Sequence, residues 1–307
     1  MTRSTPANKR PPEAAALVAA MEPQLEQDGV FPTCVPGLEF FRRSEPSVWA
    51  PALYEPAIVV VARGKKEVQH AGTTHRYDPA HYVISALDLP LLCRITGASA
   101  RSPYLALRFR LDPLLVGELL AAGACAPEGE EGAPAFAVTP VEPELLGAIV
   151  RLVELAGAPA DAPHLAPLVQ REITYRVLTG PQGARLQQTL AAGAPAERVG
   201  RAIAWIRQHH HESYRVEDVA RQAGMGASSF HQHFKSLTGM TPLQYQKRLR
   251  LLEARRLMLG RGHTAAQAAA EVGYASPSQF SRDYRKTFGA PPRQDVVALR
   301  YDDSAAP

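Results

Sequence analysis

Apolar positions along this chain change their period twice. Between residues 30 and 111 they come in short runs: 58–62, 82–86 and 91–95 are nearly continuous, while Leu105, Leu107, Phe109 and Leu111 alternate with their neighbours. Continuous runs of five suit strands buried on both faces, and alternation suits a strand with one face on a core. Gly64, the Ala71 and Gly72 pair, and Asp78 followed by Pro79 punctuate these strands as turns. Strands this short at this spacing predict a small barrel or sandwich. From residue 144 the period becomes helical over 144–155 and 165–178, where Leu165, Leu168, Ile173 and Val177 mark a stripe broad enough for a partner helix. Between these regimes, 121–143 is rich in Ala, Gly, Pro and Glu and predicts a surface loop with one strand near Phe136. Residues 1–29 are expected to form a flexible tail with a short helix near 14–21, and 183–197 to form a linker between two domains.

The last third of the chain repeats itself. Ala220, Gly224, Met225, Phe230, Phe234, Gly239 and Pro242 recur as Ala269, Gly273, Tyr274, Phe280, Tyr284, Gly289 and Pro292. The offset grows by one residue across the turn, so the second turn is longer. Each type has a physical reason to be there. Alanine lets two short helices cross closely, glycine tolerates positive φ at the turn, and the aromatic pair at i, i+4 buries one face of the second helix. Ser276 followed by Pro277 predicts a capped start for the last such helix, and Gly226 is the weaker equivalent in the first copy. The pattern predicts helix-turn-helix motifs near 216–237 and 265–288, joined by a helix over 243–259.

Charge sharpens this picture. Residues 201–300 hold 16 Lys and Arg against 7 Asp and Glu, a net of +9, whereas the rest of the chain nets −5. A basic excess confined to one domain predicts a polyanionic partner bound through phosphate contacts. Lys235, Lys247, Arg250, Arg285 and Lys286 are the candidates for that role.

Residues 200–300, through the stretches GMGASSFHQHFKSLTGMTPLQYQKRLRLLEARRLML and VGYASPSQFSRDYRKTFGAPP, resemble the DNA-binding domain of the AraC/XylS transcriptional regulators. The resemblance implies seven helices, with the third and sixth as recognition helices. It places base contacts on Ser228, His231 and Gln232 in the first motif and on Ser278, Gln279 and Arg282 in the second. Gln pairs with adenine and Arg with guanine through two hydrogen bonds, and Ser serves either kind of site. The stretches LYEPAIVVVARGKKEV, YDPAHYVISALDLPL, PYLALRFRLDP and YRVLTGPQGARL look like the N-terminal domain of a subgroup of these regulators. That likeness implies a cupin-like β-barrel with a helical hairpin, sensing a small molecule over about 30–182, with dimerisation through its helices. The fold class expected is therefore α+β in two domains, the second, 198–300, being all helical.

Other chemistry is thinner. His70, His75 and His81 lack the His-x-His pair of a metal-binding cupin, and surface positions are expected for them. His209, His210 and His211 end a helix and suit its dipole. Cys34 and Cys93 are weak candidates for an effector-responsive thiol, and three cysteines without a CxxC pair argue against a disulfide framework. No cofactor or metal is expected. The N-terminal stretch MTRSTPANKRPPE lacks an apolar signal segment and no run of eighteen apolar residues occurs, so the expectation is a cytoplasmic protein with no membrane partner. Together these features predict a sequence-specific transcriptional regulator, an activator rather than a repressor. Its expected partners are double-stranded DNA, RNA polymerase, a small-molecule effector and a second copy of itself. The alternative is a cupin-type metalloenzyme or a DNA-repair protein with an accessory helix-turn-helix domain.

Overall fold

The apolar run at 58–62 lies at the heart of the N-terminal domain, because a strand with apolar residues on both faces is stable only when covered on both. A computed structural model describes residues 12–304, except 80, 128, 130–132, 191 and 192. In it β4 (Ala57–Arg63) is paired on both sides within a six-stranded antiparallel sheet. Its other strands are β1 (Gly29–Pro32), β2 (Leu38–Arg43), β7 (His81–Ser85), β9 (Tyr104–Arg110) and β10 (Phe136–Pro140), in the order β1-β2-β9-β4-β7-β10. A second sheet runs β3 (Ala50–Tyr54), β8 (Leu89–Gly97), β5 (Lys65–His70) and β6 (Thr73–Tyr77). Side chains meet across the gap between the sheets: the rings of Tyr54 and His75 lie 5.9 and 5.3 Å from that of Phe136. Two facing sheets of short strands are what the strand spacing, which predicts a small barrel or sandwich, leads to.

The outer face of the larger sheet carries Leu38, Phe40, Ile58, Val60, Leu105, Leu107 and Phe109, all buried. Helices cover the domain: α1 (Pro12–Met21) packs on β4 and on α3 (Pro143–Ala156), which forms a hairpin with α4 (Ala162–Thr179). Two expectations need correcting. The tail expected through residue 29 is anchored from α1 onward, because Leu17 and Met21, four residues apart, fall on one helical face and are fully buried; residues 1–11 lie outside the described ones. The linker expected at 183–197 contains α5 (Gly183–Leu190), whose buried Leu186 docks it beside α4 and α2 (Pro113–Ala121). The predicted stripe on α4 also divides: Ile173 and Val177 face the core, whereas Leu165 and Leu168 point outward, as does Tyr175.

The C-terminal region holds seven helices among the described residues: α6 (Pro195–Gln208), α7 (Val216–Gln222), α8 (Ala227–Thr238), α9 (Pro242–Gly260), α10 (Ala265–Glu271), α11 (Pro277–Phe288) and α12 (Pro292–Ser304). Thr241 and Gln244 start α9 with a capping box, each satisfying a backbone N–H of the other. The apolar residues form two clusters. One runs unbroken from the barrel through α6 and α7 to Phe230, Phe234, Tyr245 and Leu249. The other joins the second half of α9, from Leu251 to Met258, with Ala269, Phe280, Tyr284 and Val296.

Candidate nucleic-acid interface

The two helix-turn-helix units are built from the residues that the repeat singles out. Ala220 and Ala269 are buried at the helix crossings, and Gly224 and Gly273 take φ of +67° and +82° at the turns. Four residues separate α7 from α8 and five separate α10 from α11, which accounts for the change of offset. Phe230 and Phe234 bury one face of α8, and Phe280 and Tyr284 bury the matching face of α11. Each such side chain contributes about 1.5–3 kcal/mol through apolar burial. Ser276 caps α11 by accepting from the Gln279 backbone N–H, with Pro277 at the first turn. Gly226 starts α8 without a side-chain cap, and both helices end on glycines in the left-handed region, Gly239 and Gly289.

Burying the aromatic face turns the other face outward. Ser228, His231 and Gln232 on α8 are exposed, as are Ser278, Gln279 and Arg282 on α11. Lys235, Arg285 and Lys286 are exposed in the last turns of these helices. The remaining two phosphate candidates are engaged elsewhere. Arg250 is half-buried and donates to three backbone carbonyls, from Nε to His210 (2.6 Å), from Nη2 to Glu212 (2.9 Å) and from Nη1 to Gly273 (3.1 Å). It is a brace between the α6–α7 connection and the second turn, not a free cation. Lys247 reaches across from α9 to Asp283 of α11 at 2.9 Å, so its charge is partly spent on holding that helix.

Comparison with known proteins fits this geometry. Residues 34–185 match the family model for the AraC-type transcriptional regulator N-terminus, and 219–295 match a helix-turn-helix domain model. The chain belongs to the AraC-type transcriptional regulators. The HTH-type transcriptional activators RhaS of Salmonella schwarzengrund and Salmonella agona are each 32% identical over 147 residues, 47% of this chain and 51% of theirs. The chain thus spans about half the length of the curated relatives it matches. Among solved structures, fatty-acid-bound ToxT from Vibrio cholerae shares the fold over 88% of this chain and 96% of its own, with TM-score 0.55 and 13% identity. A regulator N-terminus model, a helix-turn-helix model and activator relatives all point to a transcriptional regulator family, not to the alternative of an enzyme.

Sequence reasoning missed how this AraC-type regulator joins its halves. Asp88, in the turn before β8, receives Arg207 of α6 at 2.6 Å, and its backbone carbonyl accepts from the Tyr245 hydroxyl of α9 at 2.7 Å. Burial pushes the Asp88 carboxyl above its usual range, partly offset by Arg207. His70, at the end of β5, sits 3.1 Å from the Thr238 carbonyl that closes α8. The surface position expected for His70 is therefore wrong; burial, helped by neighbouring His75, drops its pKa to about 4. Next to it Gly239 lies against Ala71, where an added Cβ would come within 2.7 Å of the Ala71 Cβ. None of these pairs is close in sequence, so no local pattern announces them.

The other candidates scatter. His81 pairs with Asp78, and His209 and His210 cap the α6 terminus by bonding the Trp205 and Arg207 carbonyls. Cys34 is exposed beside the end of α3, while Cys93 is buried inside the barrel, so the two thiols share no site. Among the described residues no group of three or more His, Cys, Asp or Glu side chains is placed to hold a metal ion, and no helix is long and apolar enough to cross a membrane.

Proposed function

We propose that α8 and α11 enter successive major grooves of one DNA duplex and read its sequence, making the chain a sequence-specific regulator that works as an activator. The observation that carries this is the matched pair of helices, each with aromatic residues inward and small polar or cationic residues outward. Ser228, His231, Gln232, Ser278, Gln279 and Arg282 make the base contacts; Lys235, Arg285 and Lys286 neutralise phosphates. The nineteen-residue α9 spans roughly 28 Å at ~1.5 Å per residue, which suits a pair of helices about one DNA turn, ~34 Å, apart. An effector in the N-terminal barrel shifts the population competent to occupy the operator and recruit RNA polymerase. The exposed Leu165, Leu168 and Tyr175 of α4 supply a contact for a second copy.

Fluorescence anisotropy on a selected operator and its single-base variants tests this reading. Arg282→Ala should cost about 1–3 kcal/mol on the preferred site and lose discrimination at one base pair. Arg285→Ala should weaken all sequences alike and lower the salt slope by about one. Equal discrimination in wild type and Arg282→Ala would remove Arg282 from the reading surface, and salt-insensitive binding would sink the proposal as a whole.

A further inference from the structure

The face of the smaller sheet that looks into the barrel is unusually polar. Register puts Lys66 of β5 opposite Tyr77 on β6, and Val68 opposite Cys93 on β8. The Lys66 ammonium lies 5.3 Å from the centre of the Tyr54 ring, and the Tyr54 and Tyr77 hydroxyls are 3.3 Å apart. Tyr104, from the facing sheet, is close enough to interact electrostatically with the same ammonium. Around this cation stand three phenols and a thiol, and no carboxylate lies within ion-pairing distance among the described residues. The acidic neighbour in sequence, Glu67, points to the opposite face, where Arg76 and Arg94 hold it.

A cation inside a domain normally has a paired anion, since desolvating an unpaired charge is costly. Burial works against the Lys66 ammonium, and what surrounds it is the Tyr54 ring face and the hydroxyl and thiol groups of Tyr77, Tyr104 and Cys93, with no anion among them. Burial pushes the phenols the other way, to pKa values above the usual range, so at neutral pH they are neutral donors rather than counter-ions. The site therefore holds one positive charge and hydroxyls able to donate, with Val68 and Leu91 on the same inward face of the sheet.

Resting on the reading that the N-terminal domain is an effector sensor, we infer that its barrel binds a small organic acid, whose carboxylate pairs with Lys66 and accepts from Tyr54 or Tyr77 while its apolar body lies along Val68 and Leu91. A single cation favours a monoanion over a phosphate dianion, which would need further cations.

The test uses the full chain and a panel of sodium carboxylates from acetate to decanoate plus benzoate, each beside its neutral alcohol, followed by isothermal titration and thermal shift. At least one acid should bind about tenfold or more tightly than its alcohol, the difference expected of a charge-assisted hydrogen bond out of water. Lys66→Met should fold at least as well as wild type, because it removes an unpaired charge, and should bind acid and alcohol alike. Tyr77→Phe should weaken the acid several-fold. The inference is overturned if no acid in the panel binds wild type, if each alcohol matches its acid, or if Lys66→Met keeps the preference. The wild-type comparison decides the matter even if Lys66→Met fails to fold. Parallel gel shifts separate this from the broader reading: DNA binding without acid binding removes the site alone, and acid binding without DNA binding removes the regulator.

Discussion

The two helix-turn-helix units share a sequence pattern and differ in what holds them. The first has no core of its own: Phe230 and Phe234 belong to a cluster continuous with the barrel, and α8 ends against β5 and its turn. The second is closed on itself. Phe280 and Tyr284 pack with Leu251, Leu257 and Val296, and an ion pair between Arg255 and Asp295 lies beneath them. A change inside the barrel can therefore reach the first unit directly through packed side chains, whereas the second is linked to it through α9, the Arg250 brace and the approach of Gly273 to the His211 carbonyl. Repetition in sequence has produced one helix-turn-helix unit welded to the N-terminal domain and one that stands apart.

The largest expected effect breaks the second unit alone. Arg255 meets Asp295 with two hydrogen bonds of 2.8 and 2.7 Å, both groups are buried, and the Tyr284 hydroxyl donates to the same carboxylate at 2.6 Å. Asp295→Ala leaves the guanidinium buried without its partner, and should cost about 3–5 kcal/mol. Hydrogen exchange should then accelerate in α10 to α12 and leave α8 protected. Equal loss in both units would show that they fold as one. The next effect acts on the first unit through pH. The pKa of His70 is depressed when folded, so its contribution is present above its usual value of 6.5 and fades as pH falls toward about 4. Going from pH 7.5 to 5 should cost about 2 kcal/mol at the β5–α8 seam. His70→Gln should flatten that part of the profile, and a wild-type profile no steeper than the variant's would remove His70 from the seam.

How much of this was legible depended on whether a residue's role was local. The turn glycines, the aromatic pairs, the Ser276 cap and the extra turn residue each obey short-range rules, and each stands where the sequence pattern puts it. The apolar strands β4, β7, β8 and β9 were legible for the same reason. Strands β5 and β6 were not, because KKEVQH and TTHRY turn polar side chains inward and so lack the apolar alternation that marks a half-buried strand. Lys66 and His70 both lie on that hidden strand. In α5 Leu186, set among Gly, Ala and Gln, reads as part of a spacer in the sequence, yet it is buried in the fold. Net charge was a good guide to the domain and a poor one to individual cations: Arg250 and Arg255 look like surface charges in the sequence and are braces in the fold.

Arg250 gives the third test. Its three carbonyl partners connect the residues after α6 to Gly273, which approaches the His211 carbonyl so closely that a Cβ there would lie 2.0 Å away. Arg250→Met should cost about 1.5 kcal/mol, the scale of charge-assisted hydrogen bonds at a half-exposed site. It should speed exchange at the second turn while leaving the α8 seam intact, and its DNA affinity should fall by lost geometry. A salt slope equal to wild type would confirm that no phosphate contact had been lost, and a lower slope would return Arg250 to the phosphate-binding set.

The smallest change is the sharpest probe of the weld itself. Tyr245 is fully buried between the first unit and the N-terminal domain; its ring lies edge-on to Phe234 at 5.5 Å, and its hydroxyl donates to the Asp88 carbonyl. Tyr245→Phe keeps the ring and its packing and removes one donor, so stability should fall by only about 1 kcal/mol. If the sensor acts through this seam, a loss that small should still alter how far an effector changes DNA affinity, because coupling free energies are of similar size, about 1–3 kcal/mol. Operator affinity measured with and without a bound effector, in wild type and in Tyr245→Phe, gives that coupling directly. A variant that is destabilised as expected yet keeps the full coupling would mean that the signal travels by another route, and the second unit would then have as strong a claim on it as the first.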